Sequence, residues 1–328
     1  MPRYARNSVV LAKIETTYGT DPVPTGAANA ILVSNLSINP LKANNVDRDL
    51  VRAYFGGSEQ LVGSAHVEVS FDVEFQHSGT AGTAAAWDPL LQACGFTAGS
   101  VLTTPARVEH LLETAYASLK SATIYYYDDG VLHKLLGARG SFSVSLNIGE
   151  RPTFKFTFLG LDGGVTATAN ASPTLTGFKT PLVVTDPNTG AITLGCTYAT
   201  GALSAGTEYV GAGFEFDMAN DVAFTDLLGT AAATGQSIDL TDRKMSGKIR
   251  LDLTAANEVT FMTAVKANTV QSVGLVHGTT AGYKLLVFLP SVQLINPTKE
   301  EINGRRLIGF DMRVLPVDGN DEIKIVGL

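Results

Sequence analysis

His66-Val67-Glu68-Val69-Ser70-Phe71-Asp72-Val73-Glu74-Phe75-Gln76 alternates without a break between polar and apolar residues. Successive side chains of a strand point to opposite faces, so Val67, Val69, Phe71, Val73 and Phe75 make a dry face. Glu68, Ser70, Asp72 and Glu74 make a wet, acidic one. One dry and one wet face is the pattern of an antiparallel sheet over a core. A short helix follows. Trp87, Leu90, Leu91 and Cys94 fall at i, i+3, i+4 and i+7, a single apolar stripe. Asp88 before Pro89 suits an N-cap followed by the first helical position, and Gly95 suits the residue after the helix end.

Further strands extend from this stretch in both directions. Before it, Ala30–Ile38 reads as a strand and residues 1–28 as an extended arm. After it, Thr123–Tyr127 and Val131–Leu136 flank Asp128-Asp129-Gly130, a hairpin turn signal. Ser141–Ile148 and Thr153–Leu159 alternate again. Leu161–Thr176 is small, polar and glycine-rich, which places a domain boundary there. The second half holds strands at Leu182–Thr185, Ala191–Leu194 and Phe214–Met218. After Gly247 the first order recurs: an alternating strand at Ile249–Leu253, a helix at Ala255–Ala267 capped by Thr254, with Phe261, Met262 and Val265 inward, then strands at Val273–Val276, Tyr283–Leu289, Val292–Ile295 and Ile308–Val314. Ile323–Val326 closes the chain. The expectation is a mainly β chain of two tandem units, 29–165 and 166–328, the second a pseudo-repeat of the first.

Each unit also carries an arm. Residues 39–62 form a long connection with a flexible Gly56-Gly57 pair. Val46, Leu50 and Val51 are too apolar for a solvated disordered loop, so Val46, Arg48, Asp49, Leu50, Val51 and Arg52 are read as an arm that orders against a partner. A short surface helix is the other reading. Ala219–Asp242 has the same character, with a polar start, an apolar centre at Phe224, Leu227 and Leu228, and a loose tail after Gly229.

Composition narrows the function classes. With 24 basic and 31 acidic residues the formal net charge is −7, which disfavours tight nucleic-acid binding. Charged residues make up only 17%, low for an isolated soluble chain of about 25%, so neighbours are expected to cover much of the surface. Cys94 and Cys196 give no disulfide framework and no metal-ligand set; a bridge between them stays open. The N-terminus is not read as a signal peptide, and no apolar run approaches a membrane span, which points to synthesis and assembly in a cytoplasm. The five histidines form no zinc-hydrolase pair, Gly211-Ala212-Gly213 lacks the rest of a dinucleotide fingerprint, and no phosphate loop or nucleophile elbow occurs. Asp186-Pro187-Asn188-Thr189-Gly190 fits a turn better than a calcium loop. No catalytic, cofactor or metal site is expected, and the chain is read as a non-enzyme.

The run Leu11-Ala12-Lys13-Ile14-Glu15-Thr16-Thr17-Tyr18-Gly19-Thr20 resembles the opening of the major tail tube proteins of long-tailed bacteriophages, in particular those of Mu-like transposable siphophages. Trp87-Asp88-Pro89-Leu90-Leu91-Gln92-Ala93-Cys94-Gly95-Phe96 and Asp242-Arg243-Lys244-Met245-Ser246-Gly247-Lys248 carry the same resemblance. It implies a β-sandwich or barrel unit with one flanking helix and a long arm loop, here present twice. It further implies stacked rings around a DNA channel, trimeric for a two-unit chain, in the virion tail, with tape measure, tail terminator and distal tail proteins as partners. Glu68, Asp72 and Glu74 are then the candidate channel lining, where like charge would keep the passing genome from sticking. The second-half strand bears Lys248, Arg250 and Asp252 instead, so a uniformly acidic wall is not implied. The competing reading is a carbohydrate-binding or adhesin β-protein, for which Tyr125-Tyr126-Tyr127 is the best platform.

Overall fold

The computed structural model describes residues 2–229 and 235–328. Its first half runs β1 (Ser8–Ile14), α1 (Gly26–Asn29), β2 (Ala30–Ile31), β3 (Ser34–Asp47), β4 (Gln60–Glu74), α2 (Asp88–Ala93), β5 (Ser100–Thr103), β6 (Ala106–Leu111), β7 (Ala122–Asp128), β8 (Val131–Asn147) and β9 (Thr153–Ala167). The second runs β10 (Ile192–Leu194), β11 (Thr197–Ala199), β12 (Ala202–Ser204), β13 (Thr207–Tyr209), β14 (Gly211–Asp217), β15 (Asn220–Asp226), β16 (Gln236–Arg243), β17 (Ser246–Leu251), α3 (Ala255–Lys266), β18 (Val270–His277), β19 (Leu285–Ile302), β20 (Arg305–Val314) and β21 (Lys324–Gly327).

The opening stretch forms the C-terminal half of β4. Val67, Val69, Phe71, Val73 and Phe75 are all buried, while Glu68, Ser70, Asp72 and Glu74 are half-buried on the other face. All pairings are antiparallel. In the first half the order across the sheet is β3–β4–β9–β8–β7–β1. In the second it is β14–β17–β20–β19–β18–β10. The two orders coincide strand for strand, with a helix after β4 and after β17. The halves are joined twice: β8 pairs with β14, and β21 bridges β19 to β6. Among the described residues this pairing path never returns on itself, so no closed barrel forms within the chain and the sheet is open.

The core does not stop at the midpoint of the chain. One apolar cluster takes Phe71, Trp87, Phe142, Phe154 and Phe156 from the first half and Phe214, Phe216, Ile249 and Phe310 from the second. Phe142 and Phe216 meet edge-on across the junction at 6.3 Å.

Local geometry departs from the sequence expectation in six places. The segment 1–28 is not a free arm: Ser8–Ile14 is a strand paired along β7, with Val10, Leu11 and Ala12 buried. Ala30–Ile38 is broken into β2 and the start of β3. Leu182–Thr185 is no strand; Val184 instead exchanges backbone hydrogen bonds with Gly149 and Glu150 of the β8–β9 turn. Tyr283–Leu289 and Val292–Ile295 merge into β19, which carries Pro290 within it. The glycine-rich linker starts late, because β9 continues to Ala167. At α2 the N-cap is Trp87, not Asp88. The Asp88 carboxylate is engaged elsewhere, accepting from Gly99 N (2.9 Å) and Gln92 Nε2 (2.6 Å), so it holds the chain after the helix. Thr254 caps α3 through Asn257 N, as expected, and Asp129 and Gly130 both take positive φ, as a tight hairpin turn requires.

Candidate functional site: a polar sheet face and two hairpin arms

The wet face of β4 continues across its neighbours. Asp72 lies opposite Lys155 of β9, and Ser70 opposite Thr157. Beyond them come Ser141, Ser143 and Ser145 of β8, Glu215 and Asp217 of β14, and Lys248 and Arg250 of β17. Between β8, β14 and β17 this face holds a shallow depression of about 500 Å³ lined by serines and charged groups.

Most of the acids on this face have a partner. Lys42 Nζ lies 3.0 Å from Glu68, Arg151 2.9 Å from Glu74, and Lys248 2.5 Å from Glu300. Asn35 Nδ2 donates to Asp72 at 2.7 Å, and Arg250 reaches Glu215 at 3.3 Å. Exposed pairs of this kind contribute about 0–1 kcal/mol to stability. Their larger effect is to cancel charge. Glu68, Asp72 and Glu74 share one face as the sequence implied, but each has a cation or amide beside it, so the face is polar and hydroxyl-rich rather than a bare acidic wall.

The arms are hairpins, not loops. Half of residues 39–62 is strand, because β3 and β4 pair as far as Asp47 and Gln60. Val46 sits on β3, and only residues 48–59 form the tip. Arg48 and Arg52 both pair with Glu59, which fixes the tip against itself. Asp49, Leu50, Val51, Tyr54 and Phe55 are exposed there. The second arm is the β15–β16 hairpin, with Leu227 and Leu228 exposed near its tip; the expected loose tail after Gly229 falls on 230–234, outside the described residues. The arms lie side by side. His66 at the base of the first stacks on Phe224 of the second at 4.8 Å, and Ser64 donates to Asp226. Burial here lowers the His66 pKa. Strand registers put both tips at the end of the molecule opposite the β8–β9 and β19–β20 turns. At about 3.3 Å per residue, β4 alone separates its two ends by roughly 46 Å. The turn end carries its own exposed apolar residues, Ile148, Val210 and Ile302, around an open hollow.

Sequence reading missed the residues that hold the arms. Buried Glu15 accepts from Ser121 Oγ (2.7 Å), Thr123 Oγ1 (2.6 Å), Gly137 N (2.8 Å) and Gly19 N (2.8 Å). Tyr18 then accepts from Ile238 N of the second arm at 2.6 Å and lies under Arg139, whose Nη1 donates to Ile238 O. Burial pushes the Tyr18 phenol pKa up. An acid and a tyrosine among small residues in Glu15-Thr16-Thr17-Tyr18-Gly19 were the available signal.

The alternative platform is absent: Tyr125, Tyr126 and Tyr127 are each less than 10% exposed. Cys94 and Cys196 are free and buried. Among the described residues no cluster of three metal-ligating side chains occurs, and no helix is long and apolar enough to cross a membrane.

No curated protein matches the chain. The family described as phage tail tube protein matches residues 5–321, nearly the whole sequence. The chain belongs to the phage tail tube protein family, and is a structural component of a phage tail.

Proposed function

We propose that each chain supplies two of the six blocks of a tube ring, so that three chains close one ring and stacked rings enclose the channel through which DNA passes. The observation that carries this reading is the strand order: β3–β4–β9–β8–β7–β1 and β14–β17–β20–β19–β18–β10 coincide in one chain. Two like blocks joined head to tail through β8 and β14 repeat a heterologous contact, and such contacts close into rings when the rotation divides a full turn. An internal duplication accounts for both halves, and the resemblance of the opening run to Mu-like siphophage tube proteins fits the same role.

The polar face bearing Glu68, Asp72 and Glu74 is proposed as the channel lining. DNA carries one charge per roughly 1.7 Å of axis, and a lining with few unpaired cations offers it no counterion-releasing site. Matched pairs and serine hydroxyls serve this as well as net repulsion. The two arm tips with Val51, Phe55 and Leu228 fit the inter-ring contact, since the opposite end presents Ile148, Val210 and Ile302. The tube ends would then meet tape measure, tail terminator and distal tail proteins, after assembly in the host cytoplasm, and the role is non-enzymatic.

Electron microscopy of the purified chain tests this. Rings or tubes with a central hole are expected, with Glu68 and Asp72 facing the hole. A monomer at every concentration refutes the assembly, and an outward-facing Glu68 and Asp72 refutes the lining.

A further inference from the structure

The junction between the halves is a template for a contact that the single chain leaves open. Phe214 and Phe216 of β14 are buried at 1% exposure because β8 lies alongside, with Phe214 opposite Leu146, Glu215 opposite Ser145 and Phe216 opposite Val144. In the shared strand order β3 occupies the place of β14. Yet β3 pairs only with β4 among the described residues, and Leu36 and Ile38, on the core-facing side of its open edge, are half-buried. Likewise β19 occupies the place of β8. Among the described residues its last segment, Thr298–Ile302, pairs only with β20, and no strand takes the position that β14 takes on β8. One chain therefore ends in two unpaired edges, one of each kind. Open edges of this length are normally covered or paired.

We propose that the outer edge of β3 in one copy of this chain pairs antiparallel with Thr298–Ile302 of β19 in the next, reproducing between chains the β8–β14 junction within them. The inference rests on the ring reading above and names the surfaces that close it. The register follows from the core. Phe154, Phe156 and Phe158 of β9 correspond to Ile308, Phe310 and Met312 of β20, all buried on the same face. Ser145 lies opposite Thr153, and Glu300 opposite Leu307, so Glu300 corresponds to Ser145. Ser70 lies opposite Thr157, and Lys248 opposite Asp311, so Ser70 corresponds to Lys248. Ser37 lies opposite Ser70, and Glu215 opposite Lys248, so Ser37 corresponds to Glu215. Glu215 faces Ser145 within the chain. Ser37 of one copy accordingly faces Glu300 of the next.

The test is cysteine cross-linking in the full chain, where both native thiols are buried and free. The double variant Ser37→Cys/Glu300→Cys is expected, on mild oxidation of assembled protein, to give covalent dimers and then a covalent trimer on a non-reducing gel. An equal mixture of the two single variants should stop at dimers. Rings seen by microscopy without cross-linking overturn the edge assignment and leave the ring reading standing. Monomers without cross-linking overturn both. A second variant, Ile38→Lys, charges the open edge of β3. It should abolish ring formation while Trp87 emission stays that of the folded chain, and rings that survive it refute the proposal.

Discussion

Replacing Phe142 by Ala should unfold both halves more easily at once. Phe142 is 2% exposed and lies 5.4 Å from Phe154, 5.5 Å from Phe156, 5.8 Å from Phe96 and 6.3 Å from Phe216. A buried aromatic hides about 150–250 Å². At about 25 cal/mol/Å² this amounts to roughly 4–6 kcal/mol, an upper figure because the denatured chain already hides some surface. Core Phe→Ala substitutions cost about 3–5 kcal/mol, so a loss of about 4 kcal/mol is expected. The cavity opens beneath β9 and β14 together, and the two halves should fall as one unit. Urea unfolding followed by both Trp87 emission and far-ultraviolet circular dichroism measures this. Trp87, fully buried and donating to Gln76 O at 2.7 Å, is the single tryptophan and reports the first half alone. The two probes should move together. A loss under about 1 kcal/mol, well below the core range, or a second-half transition that stays in place while Trp87 shifts, would refute the shared core.

The arm tip should behave in the opposite way. Phe55→Ala touches no core, so stability should stay within about 0.5 kcal/mol, while tube formation scored by sedimentation should fall sharply; unchanged tube length would remove the tip from the stacking contact. Acid should weaken the fold through His77. It is fully buried, and burial with neighbouring His110 depresses its pKa from 6.5 to about 4. The unfolded chain therefore binds the extra proton first as pH falls. Stability is full above about pH 6.5, declines toward pH 4, and loses on the order of 3 kcal/mol from this group; denaturation of His77→Gln across that window should show a flatter profile. Arg243→Met should cost about 3 kcal/mol or more in denaturant midpoint experiments, because it strands Glu322, 8% exposed, whose carboxylate Arg243 Nη2 contacts at 2.8 and 3.0 Å.

Much of the fold is written locally. The alternation in β4, the Asp129-Gly130 turn, the Trp87–Cys94 stripe and the Thr254 cap each depend on neighbours in sequence, and each forms where those neighbours demand it. The errors lie where distant partners decide. Ser8–Ile14 looked like an arm because nothing nearby shows that Tyr125 and Tyr127 wait to pair with it. Residues 39–62 looked like a loop because alternation is weak in a hairpin that has no core on either side. The polar face was half legible. Glu68, Asp72 and Glu74 were placed together by a period of two, but their partners come from β3 (Lys42 and Asn35) and from the β8–β9 turn (Arg151).

By itself the sequence determined the class of this protein: mainly β, with two similar runs of strands and apolar arms. Those features follow from side-chain period, turn residues and composition, which act over a few residues. Only the tertiary structure decided that the halves share one core, that the acids of β4 each gain a cation or an amide partner, and that β8 pairs with β14 while β3 and the end of β19 stay open. Backbone hydrogen bonds between strands carry no residue code. Which edge meets which is set by the stacking of the whole sheet, and it is read only when the sheet is built.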